Sequence, residues 1–586
     1  MEADSHGQAG FRLSALQPEC RRVLAQRYLL PGEQDAQDVF DRVARAVASV
    51  EPAAQREVWR ERFREHLRHG AIGAGRIMAS AGRPPASDGA RATLINCFVQ
   101  PLTGSASTGA DHPRAPAWPA ALDELQATLM MGGGVGVDLD GLQAVQALEQ
   151  IEQRCAATDA HTQPRPGAVM AVLSHDHPDL EAVLTQMEAP NGTPRRWPHV
   201  TVSVAVGDAF MKRTRHPSDP AHPRWHRIVQ TAWACGRPGL LFRDRIRSDD
   251  NLRAQECLSA TNPCSEQPLP AYGACDLGPI ILPRYVRHPF GWGGTATVDW
   301  PGLARAVRLQ VRLLDNVLDL TPWPLAAQRQ EALGTRRLGV GMTGLADALL
   351  MLGLPYASAP ARAMAATIAR HMRDQAYAAS VDLAAERGPY PRFDAQAVLE
   401  DGTFASRLPP GLRQRVARQG LRNSHLLSVA PAGSVSLAFA DNCSSGVEPP
   451  WAACRLRRGM SSAVSAGVSA GVTVGLSMGL SVEHALENAA CRLWRLGAGL
   501  ESGWRTSSAR GDTPPGFAAA HEIRPQDHVA MVAAVQPFVD AGISKTVNLG
   551  HEQDLCVVEA VFRQAWRSGL KGITVYRSAH ETACGV

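Results

Sequence analysis

Residues 258–282 contain the side chains of this chain that could perform chemistry together. Asn262, Cys264 and Glu266 alternate within this stretch, and Cys275 follows eleven positions after Cys264. In an extended segment, residues two apart project to the same side, so an amide, a thiol and a carboxylate would share one small volume. Three nearby prolines disfavour a helix and favour a fixed loop. A thiol beside a potential general base in such a loop is typical of a catalytic site.

The same two cysteines could instead have a structural role. A zinc site usually has a second closely spaced pair of Cys or His ligands, and the sequence contains no Cys-x-x-Cys. We therefore disfavour zinc and predict no metal site. The local chemistry leaves a catalytic thiol and a buried structural thiol both open.

A second functional pattern lies at residues 426–436. An apolar run of strand type precedes Pro-Ala-Gly-Ser-Val-Ser, and a helical run follows. A strand, a small-residue turn and a helix start present backbone N–H groups that can bind an anion. Ser434 and Ser436 could add hydroxyl donors. An ordinary strand–helix turn has the same pattern, so both interpretations stay open here.

Three upstream stretches carry weaker signals. Residues 91–100 predict a buried strand with Cys97 near its end, where a lone cysteine is usually a small core residue. Residues 131–138 are glycine-rich but lack the Gly-x-Gly-x-x-Gly spacing of a dinucleotide turn that opens a helix. Around His175, the sequence predicts a helix N-terminus capped by Asp179 rather than a metal site.

Composition limits the class of protein that must position these residues. The chain has 586 residues, of which 45% are hydrophobic and 20% charged, as in a soluble globular protein with a large core. The net charge of +4 is small and the basic residues are scattered, so we predict no nucleic-acid partner and no membrane surface. Apolar residues at helical spacing between residues 35 and 69 predict helices.

The N-terminal segment and the cysteines together predict the cellular compartment. The acidic N-terminal segment does not have the pattern of a signal peptide, and the 12 cysteines are widely spread. Both observations predict a reducing cytoplasm. Residues 461–481 lack charge, but Gly and Ser interrupt them repeatedly. We interpret them as a low-complexity loop or loosely packed helix rather than a transmembrane span.

The segment Asn-Pro-Cys-Ser-Glu-Gln-Pro-Leu, residues 262–269, resembles the finger loop of ribonucleotide reductases, most closely the adenosylcobalamin-dependent class. The resemblance continues in the same order over about residues 35–578. It implies a ten-stranded α/β barrel of two antiparallel halves, with the finger loop through its centre and a helical N-terminal lead-in. The implied domains are a helical region at 1–85, a barrel at 86–578 with a variable insertion at 461–525, and a tail at 579–586.

The resemblance also implies roles for the finger loop. Cys264, shielded from water and oxygen, would become a thiyl radical that takes the 3′ hydrogen of a ribonucleotide. Glu266 would take the 3′-hydroxyl proton, and Asn262 would hydrogen-bond the substrate. Cys97 and Cys275 would face each other, supply two electrons and become a disulfide. A small dithiol or a thioredoxin-like protein would then reduce that disulfide.

Substrate contacts are implied at further positions. Arg165 is a candidate contact to the base. The remaining implied contacts are Asn96, Gly134 and Ser265, with the phosphate turn Pro431, Ala432, Gly433, Ser434 and Val435.

The resemblance implies adenosylcobalamin (the vitamin B12 coenzyme) as the cofactor. Enzymes fed by a separate radical subunit carry two adjacent tyrosines near the last strand, whereas here Val575 precedes Tyr576. The implied activity is reduction of ribonucleotides, as diphosphates, to 2′-deoxyribonucleotides for DNA synthesis. The chain could act as a homodimer.

Four departures from the family pattern support an alternative, a catalytically impaired paralogue that binds nucleotide or a partner without turnover. Ser265 stands where the family has Gly, and Ala432 and Ser434 replace two threonines. The segment after Asp140 that helps to form the specificity site is largely missing. The tail has one cysteine, Cys584, instead of a pair. Because the five catalytic and reducing residues remain, we favour an active enzyme.

Overall fold

The computed structural model describes residues 16–85, 91–102, 118–159, 167–188, 195–458, 483–498, 513–550 and 552–577. Three sequence predictions lie outside these residues. They concern the base contact at Arg165, the low-complexity stretch 461–481 and the tail cysteine Cys584.

The N-terminal region is helical, as the apolar spacing predicts. Asp35 caps the second helix by accepting a hydrogen bond from the backbone N–H of Gln37. Val39, Val43 and Val47 recur on one face of that helix and are fully buried. The four helices are α1 (Pro18–Arg27), α2 (Ala36–Ala48), α3 (Arg56–Arg68) and α4 (Gly75–Ser80).

Five parallel strands form the first half of a barrel. They lie side by side in chain order, and helices connect them on the outside. Their bounds are β1 (Cys97–Gln100), β2 (Gly134–Asp138), β3 (Val169–Ser174), β4 (Val200–Val206) and β5 (Gly239–Phe242).

The predicted strand at 91–100 is shorter than expected. It begins at Cys97, which pairs with Gly134, the first residue of β2. Residues 91–96 have no strand partner, because β2 begins at Gly134 and residues 70–74 occupy the neighbouring edge of the strand Ala274–Ile281, where Ala74 and Ile72 donate to the carbonyl oxygens of Leu277 and Pro279. Cys97 therefore lies at the start of its strand, and the prediction that it lies near the end is wrong.

A hairpin follows the first half and enters the barrel. Its strands are β6 (Ala260–Thr261) and β7 (Pro268–Leu269), paired antiparallel, with residues 262–267 as the loop between them. Ala260 and Leu269 pack in an apolar cluster with side chains of the barrel strands, including Val99 and Val172. The finger loop therefore lies inside the barrel.

The second half runs antiparallel to the first. Strand β8 (Ala274–Ile281) pairs antiparallel with β1 and parallel with β11 (Leu338–Thr343). At the other edge, β15 (Gly572–Arg577) pairs antiparallel with β5 and parallel with β14 (Thr546–Leu549).

An extended segment at residues 426–430 closes the ring. Leu427 bridges to Val340 of β11, and Val429 bridges to Ile543, just before β14, both in parallel. Nine strands of one sheet and this tenth segment form a closed barrel of two five-stranded parallel halves. The predicted α/β barrel with a central finger loop is confirmed.

Two short hairpins and sixteen further helices complete the described part of the chain. The hairpins pair β9 (Val286–Arg287) with β10 (Thr297–Val298) and β12 (Cys454–Arg458) with β13 (Glu483–Glu487). The helices are α5 (Trp118–Met130), α6 (Ala144–Asp159), α7 (Leu180–Met187), α8 (Asp208–Arg213), α9 (Ala221–Cys235), α10 (Arg243–Ser248), α11 (Trp300–Leu320), α12 (Ala326–Thr335), α13 (Leu345–Met351), α14 (Ala359–Arg387), α15 (Ala395–Val398), α16 (Pro410–Gln419), α17 (Gly433–Ala440), α18 (Ala489–Gly497), α19 (Pro525–Val535) and α20 (Leu555–Arg567).

Candidate active site

The finger loop is a tight turn rather than an extended segment. The backbone N–H of Ser265 donates to the carbonyl oxygen of Asn262 at 2.9 Å, and Ser265 has a left-handed φ of 65°. Because the chain reverses here, Asn262 and Glu266 are buried whereas Cys264 is exposed at the tip. The expectations of an extended segment and a shielded Cys264 are wrong for this structure.

Asn262 holds the base of the loop. Its side-chain oxygen accepts a hydrogen bond from the backbone N–H of Gln267 at 2.9 Å, and its Nδ2 donates to Cys97 Sγ at 3.1 Å. Glu266 Oε1 lies 4.0 Å from the same sulfur. The structure therefore brings Asn262 and Glu266 of the finger loop together around Cys97 of β1.

Cys97 and Cys275 are direct partners across the antiparallel β1–β8 pair, and both are fully buried free thiols. Directly opposed antiparallel residues have Cα atoms about 4.5–5.5 Å apart, within the range a disulfide requires. Burial raises the pKa of both thiols, and the charge of Glu266 raises that of Cys97 further. The sequence prediction that these two cysteines face each other agrees with this register.

Glu266 lies in a water-poor position. Burial raises its pKa to about 7, although its own backbone N–H and Asn262 stabilise the carboxylate. Within the described residues its Oε2 has no hydrogen-bond partner. A carboxyl group that ionises near neutral pH and has a free oxygen can accept a proton from a substrate hydroxyl.

The loop is anchored to the second half of the barrel through its backbone. The Glu266 carbonyl oxygen accepts hydrogen bonds from Gly542 N–H at 2.8 Å and from Ser428 Oγ at 3.1 Å. A Cβ at Gly542 would lie 3.0 Å from the carbonyl oxygens of Ser265 and Glu266. The absence of a side chain at residue 542 therefore allows this approach.

The glycines of β2 have the same role on the opposite side. A Cβ at Gly136 would collide with the carbonyl oxygen of Thr261, at the base of the loop. At Gly134 it would lie 3.0 Å from the carbonyl oxygen of Asn96 and 3.1 Å from Pro263 Cγ. The glycine-rich run thus accommodates the finger loop, and the predicted residues Asn96 and Gly134 lie beside its tip.

The predicted phosphate turn lies at the end of the closing segment and opens helix α17. Ala432 occupies the left-handed region with φ 53°, and its carbonyl oxygen accepts the first helical hydrogen bond from Ser436 N–H at 2.8 Å. The N–H groups of the first turn of a helix have no partner in the preceding turn. Pro431 and Gly433 are at least partly accessible, whereas Val435 is buried in the core.

The two serine hydroxyls of this turn already have partners. Ser434 Oγ lies 2.8 Å from the hydroxyl of Tyr28, just after α1. Ser436 is buried, and its Oγ lies 2.8 Å from Thr343 Oγ1 on β11. The expectation that Ser436 offers a hydroxyl to an anion is therefore wrong, since that hydroxyl is directed into the core.

The structure also describes the surroundings of Asp179 and of Tyr576. Asp179 does precede α7, but its side chain makes no capping bond and instead accepts from the backbone N–H of Ala144 at 2.7 Å. The ring centroids of Tyr576 and Trp451 are 6.2 Å apart. In the described part of the chain, no cluster of three or more His, Cys, Asp or Glu side chains could hold a metal ion.

Comparisons with known families cover most of the chain. Residues 15–86 match the all-alpha domain of ribonucleotide reductase, and residues 121–224 and 218–576 match its barrel domain. The chain belongs to the ribonucleotide reductase family.

Curated relatives of this reductase support the same family assignment. The vitamin B12-dependent ribonucleoside-diphosphate reductase of Mycobacterium tuberculosis (strain CDC 1551 / Oshkosh) is 30% identical over 594 residues, covering 95% of this chain and 78% of the relative. The protein of the same name from Thermoplasma acidophilum is 28% identical over 433 residues, covering 71% of this chain and 52% of the relative. The vitamin B12-dependent ribonucleotide reductase of Streptomyces coelicolor is 23% identical over 481 residues, covering 70% and 48%.

Several residues of this reductase site were missed by sequence reasoning. Gly136 and Gly542 were not selected, although each lies in or beside a strand where a glycine indicates close backbone approach. Ser428 and Tyr28 gave no signal, because their contacts join parts of the chain that are distant in sequence.

Among the described helices, none is both long and apolar enough to cross a bilayer.

Proposed function

We propose that this chain reduces ribonucleotides to 2′-deoxyribonucleotides through a thiyl radical on Cys264. One observation carries the proposal. Cys97 and Cys275 are opposed, Asn262 and Glu266 contact Cys97, and all four are buried behind the exposed Cys264. A radical thiol, a general base and a two-electron reductant are the three components that this reduction requires.

Glu266 acts as the general base. The Cys264 radical removes the 3′ hydrogen atom, and the Glu266 carboxylate accepts the 3′-hydroxyl proton. Its pKa of about 7 leaves a large fraction of carboxylate at neutral pH. Asn262, whose Nδ2 is 3.1 Å from Cys97, orients the substrate beside the reducing thiol.

Cys97 and Cys275 supply the electrons. The 2′ hydroxyl leaves as water, the two thiols give two electrons and two protons, and a disulfide forms between them. Loss of the hydroxyl and gain of one hydrogen at C2′ balance this oxidation. Cys264 returns its hydrogen atom to C3′ and Glu266 returns its proton to the 3′ oxygen, so the thiyl radical and the carboxylate are regenerated. A small dithiol or a thioredoxin-like protein then restores the thiols by exchange.

The substrate phosphate binds at the start of α17. The first-turn N–H groups and the helix dipole both favour an anion there. Pro431, Ala432, Gly433, Ser434 and Val435 form this turn, and Ser434 adds a hydroxyl. The Mycobacterium tuberculosis relative is named a ribonucleoside-diphosphate reductase. We therefore propose a ribonucleoside diphosphate as the substrate of this chain.

Adenosylcobalamin is our proposed radical source, in agreement with the relatives' names. The site fits this cofactor, because the Cys264 thiol is exposed at the tip of its loop, where a bulky cofactor can reach it. Pro263, Cys264 and Ser265 are the residues that would face it. When bound, the cofactor supplies the one-electron oxidation of Cys264. We further propose a cytoplasmic homodimer.

The test is anaerobic turnover with adenosylcobalamin, each ribonucleoside diphosphate in turn and dithiothreitol. We expect deoxyribonucleotide from the wild type and none above background from Cys264→Ser. Cys556→Ser, which removes another exposed thiol on α20, is the matched control and should retain full activity. Nucleotide binding without any turnover would instead support the impaired paralogue.

A further inference from the structure

A buried ion pair behind the finger loop is not used by the proposed mechanism. Arg337 immediately precedes β11 and forms an ion pair with Glu256, and both side chains are almost completely inaccessible, at 2% and 0%. Asp250 and His425 lie beside them, with His425 Nε2 3.0 Å from Asp250 Oδ1. A charged group this deeply buried requires a reason beyond stability, because ion pairs in the interior contribute little net stability.

Strand register places Arg337 next to the reducing pair. Leu338 is the partner of Asp276 across the parallel β8–β11 pair, so Arg337 is level with Cys275. The Arg337 side chain lines an internal cavity together with Pro268 of the finger hairpin, and therefore points into the barrel, where Cys275 also points. The adjacent Arg336 faces outward and pairs with Asp315 at 2.8 Å.

We propose that Arg337 is a positioning residue that directs disulfide exchange, so that a reductant attacks Cys97 and Cys275 departs as the thiolate. The inference rests on the proposed reducing role of these cysteines. The incoming thiolate bonds to Cys97 Sγ as the Cys97–Cys275 bond breaks, and the electron pair passes to Cys275 Sγ. A second reductant thiolate then attacks the reductant sulfur and releases Cys97.

The groups that lower the pKa differ between the two sulfurs, because a full positive charge acts on Cys275 and a neutral amide acts on Cys97. For Cys275, burial raises the pKa and Arg337 opposes it, while Asp276, Asp540 and Glu266 add to the increase. For Cys97, burial and the charge of Glu266 both raise the pKa, and the opposing contribution is a hydrogen bond from Asn262. A thiolate that faces a cation is the better leaving group, so we expect Arg337 to favour release of Cys275.

The other charged groups beside Arg337 have partners of their own or are neutral. Glu256 and Asp250 partly neutralise Arg337. Burial lowers the pKa of His425 to about 3, so this imidazole is neutral. Lys571 is engaged with Asp249 at 2.7 Å. Among the groups that face Cys275, Arg337 therefore provides the stabilising positive charge.

The experiment uses the full-length chain without cofactor or substrate, so its outcome is separate from turnover. The reduced protein is oxidised with diamide and then exposed to 2-mercaptoethanol. It is quenched with N-ethylmaleimide, and peptides are identified by mass spectrometry. We expect the mercaptoethanol adduct on Cys97 and the maleimide on Cys275. An adduct mainly on Cys275, or no Cys97–Cys275 disulfide, would overturn the proposal.

Variants separate this role from a structural one. Arg337→Gln should slow opening about threefold, as for a leaving-group pKa higher by about one unit at a Brønsted coefficient of about 0.5, and should abolish the preference for Cys97. Arg337→Lys should restore most of the rate, and Glu256→Gln should not slow it, because the positive charge remains. Arg336→Gln, which breaks an equally buried ion pair on the outer face, should leave rate and preference unchanged. Equal slowing in Arg336→Gln and Arg337→Gln would contradict the inference.

Discussion

The acid–base behaviour of this site depends on one carboxyl group. Glu266 is 1% exposed, and burial raises its pKa from 4.5 to about 7. Below pH 7 the Glu266 carboxyl group is mostly protonated and cannot accept a proton from the substrate. The activity should therefore change with pH around neutrality, where it is simple to measure.

We predict that turnover rises about tenfold per pH unit below pH 7 and reaches a plateau above about pH 8. A pH–rate profile measures this. Asp138→Asn should keep the inflection, although the pKa of Asp138 is also raised by burial, to about 6. Glu266→Gln should remove the activity. Turnover that is constant between pH 6 and pH 8 would exclude Glu266 as the base.

The same pKa has a consequence for stability. The folded pKa is above the unfolded one, so the folded state binds more protons and the free energy of unfolding falls as the pH rises from about 4.5 to about 7. Glu266→Gln should therefore be more stable than the wild type at pH 8, by up to about 3 kcal/mol. Urea unfolding at pH 5 and pH 8 tests this, and a difference of the same size at both would contradict it.

Ser265 offers a test of backbone strain. Its φ of 65° favours glycine, so Ser265→Gly should increase stability by about 0.5–1 kcal/mol and retain activity. Ser259→Gly, on the stem of the same hairpin and without a positive φ, should decrease it. Chemical denaturation of both variants provides the measurement. Loss of stability in both would show that the left-handed φ is not costly.

At this scale, the family resemblance predicted which side chains meet, whereas the local pattern favoured Cys97 as an ordinary core residue. The resemblance correctly predicted that Cys97 faces Cys275, although the two are 178 positions apart. Side-chain direction in the loop was mispredicted, because alternation holds only for an extended backbone. The Glu266 carbonyl that follows the turn is held by Gly542 and Ser428, which are distant in sequence and which no local pattern encodes.

At the scale of elements, the finger hairpin fits only because strand β2 lacks side chains where they meet. Gly136 of β2 lies against the carbonyl of Thr261, the last residue of β6. A methyl group there must move the hairpin or the strand, and each is held by the hydrogen bonds of its own pairing.

We predict that Gly136→Ala lowers stability by about 1–3 kcal/mol and reduces turnover at least tenfold. The reason is displacement of Asn262 and Glu266 relative to Cys97. Gly411→Ala is the control, because a Cβ in that helix meets nothing within 4 Å and should be neutral or slightly stabilising. Thermal unfolding and turnover are measured together. Unchanged turnover in Gly136→Ala would mean that the hairpin can move without loss.

Elements were predicted best where periodicity is local. The helix α2 follows directly from its apolar spacing, whereas β1 was predicted six residues too long at its start. The strand begins only at Cys97 because β2 starts at Gly134 and residues 70–74 occupy the rest of the β8 edge, and both are set by tertiary pairing. Asp179 was correctly placed before its helix, but tertiary contact with Ala144 replaced the expected cap.

At the scale of the whole molecule, the N-terminal helical region reaches the turn that is our proposed phosphate site. Tyr28 is buried, and its hydroxyl lies 2.8 Å from Ser434 Oγ in the phosphate turn. Gln17 extends the contact by donating from its backbone N–H to Asp441, at the other end of α17. The helical region therefore supports both ends of α17, the helix at which we propose that the substrate phosphate binds.

We predict that Tyr28→Phe raises the KM for the nucleotide about three- to tenfold with little change in kcat, since one hydrogen bond that orients Ser434 is lost. Steady-state kinetics with varied substrate measure this. Tyr377→Phe, which removes a hydrogen bond of 2.7 Å to Asp540, should lower stability without this KM effect. A matching rise in KM for Tyr377→Phe would contradict a local role for Tyr28.

The closed ring also has a consequence for folding. Its two halves meet at β1–β8, which pairs Cys97 with Cys275 across 178 positions, and at β5–β15, which joins residues more than 300 positions apart. Contacts of such separation form slowly, because long stretches of chain must be ordered before the contact stabilises them. During refolding, the thiol of Cys97 thus remains reactive until its half of the barrel docks on the other. Protection of this thiol from alkylation records the time at which the two halves have joined.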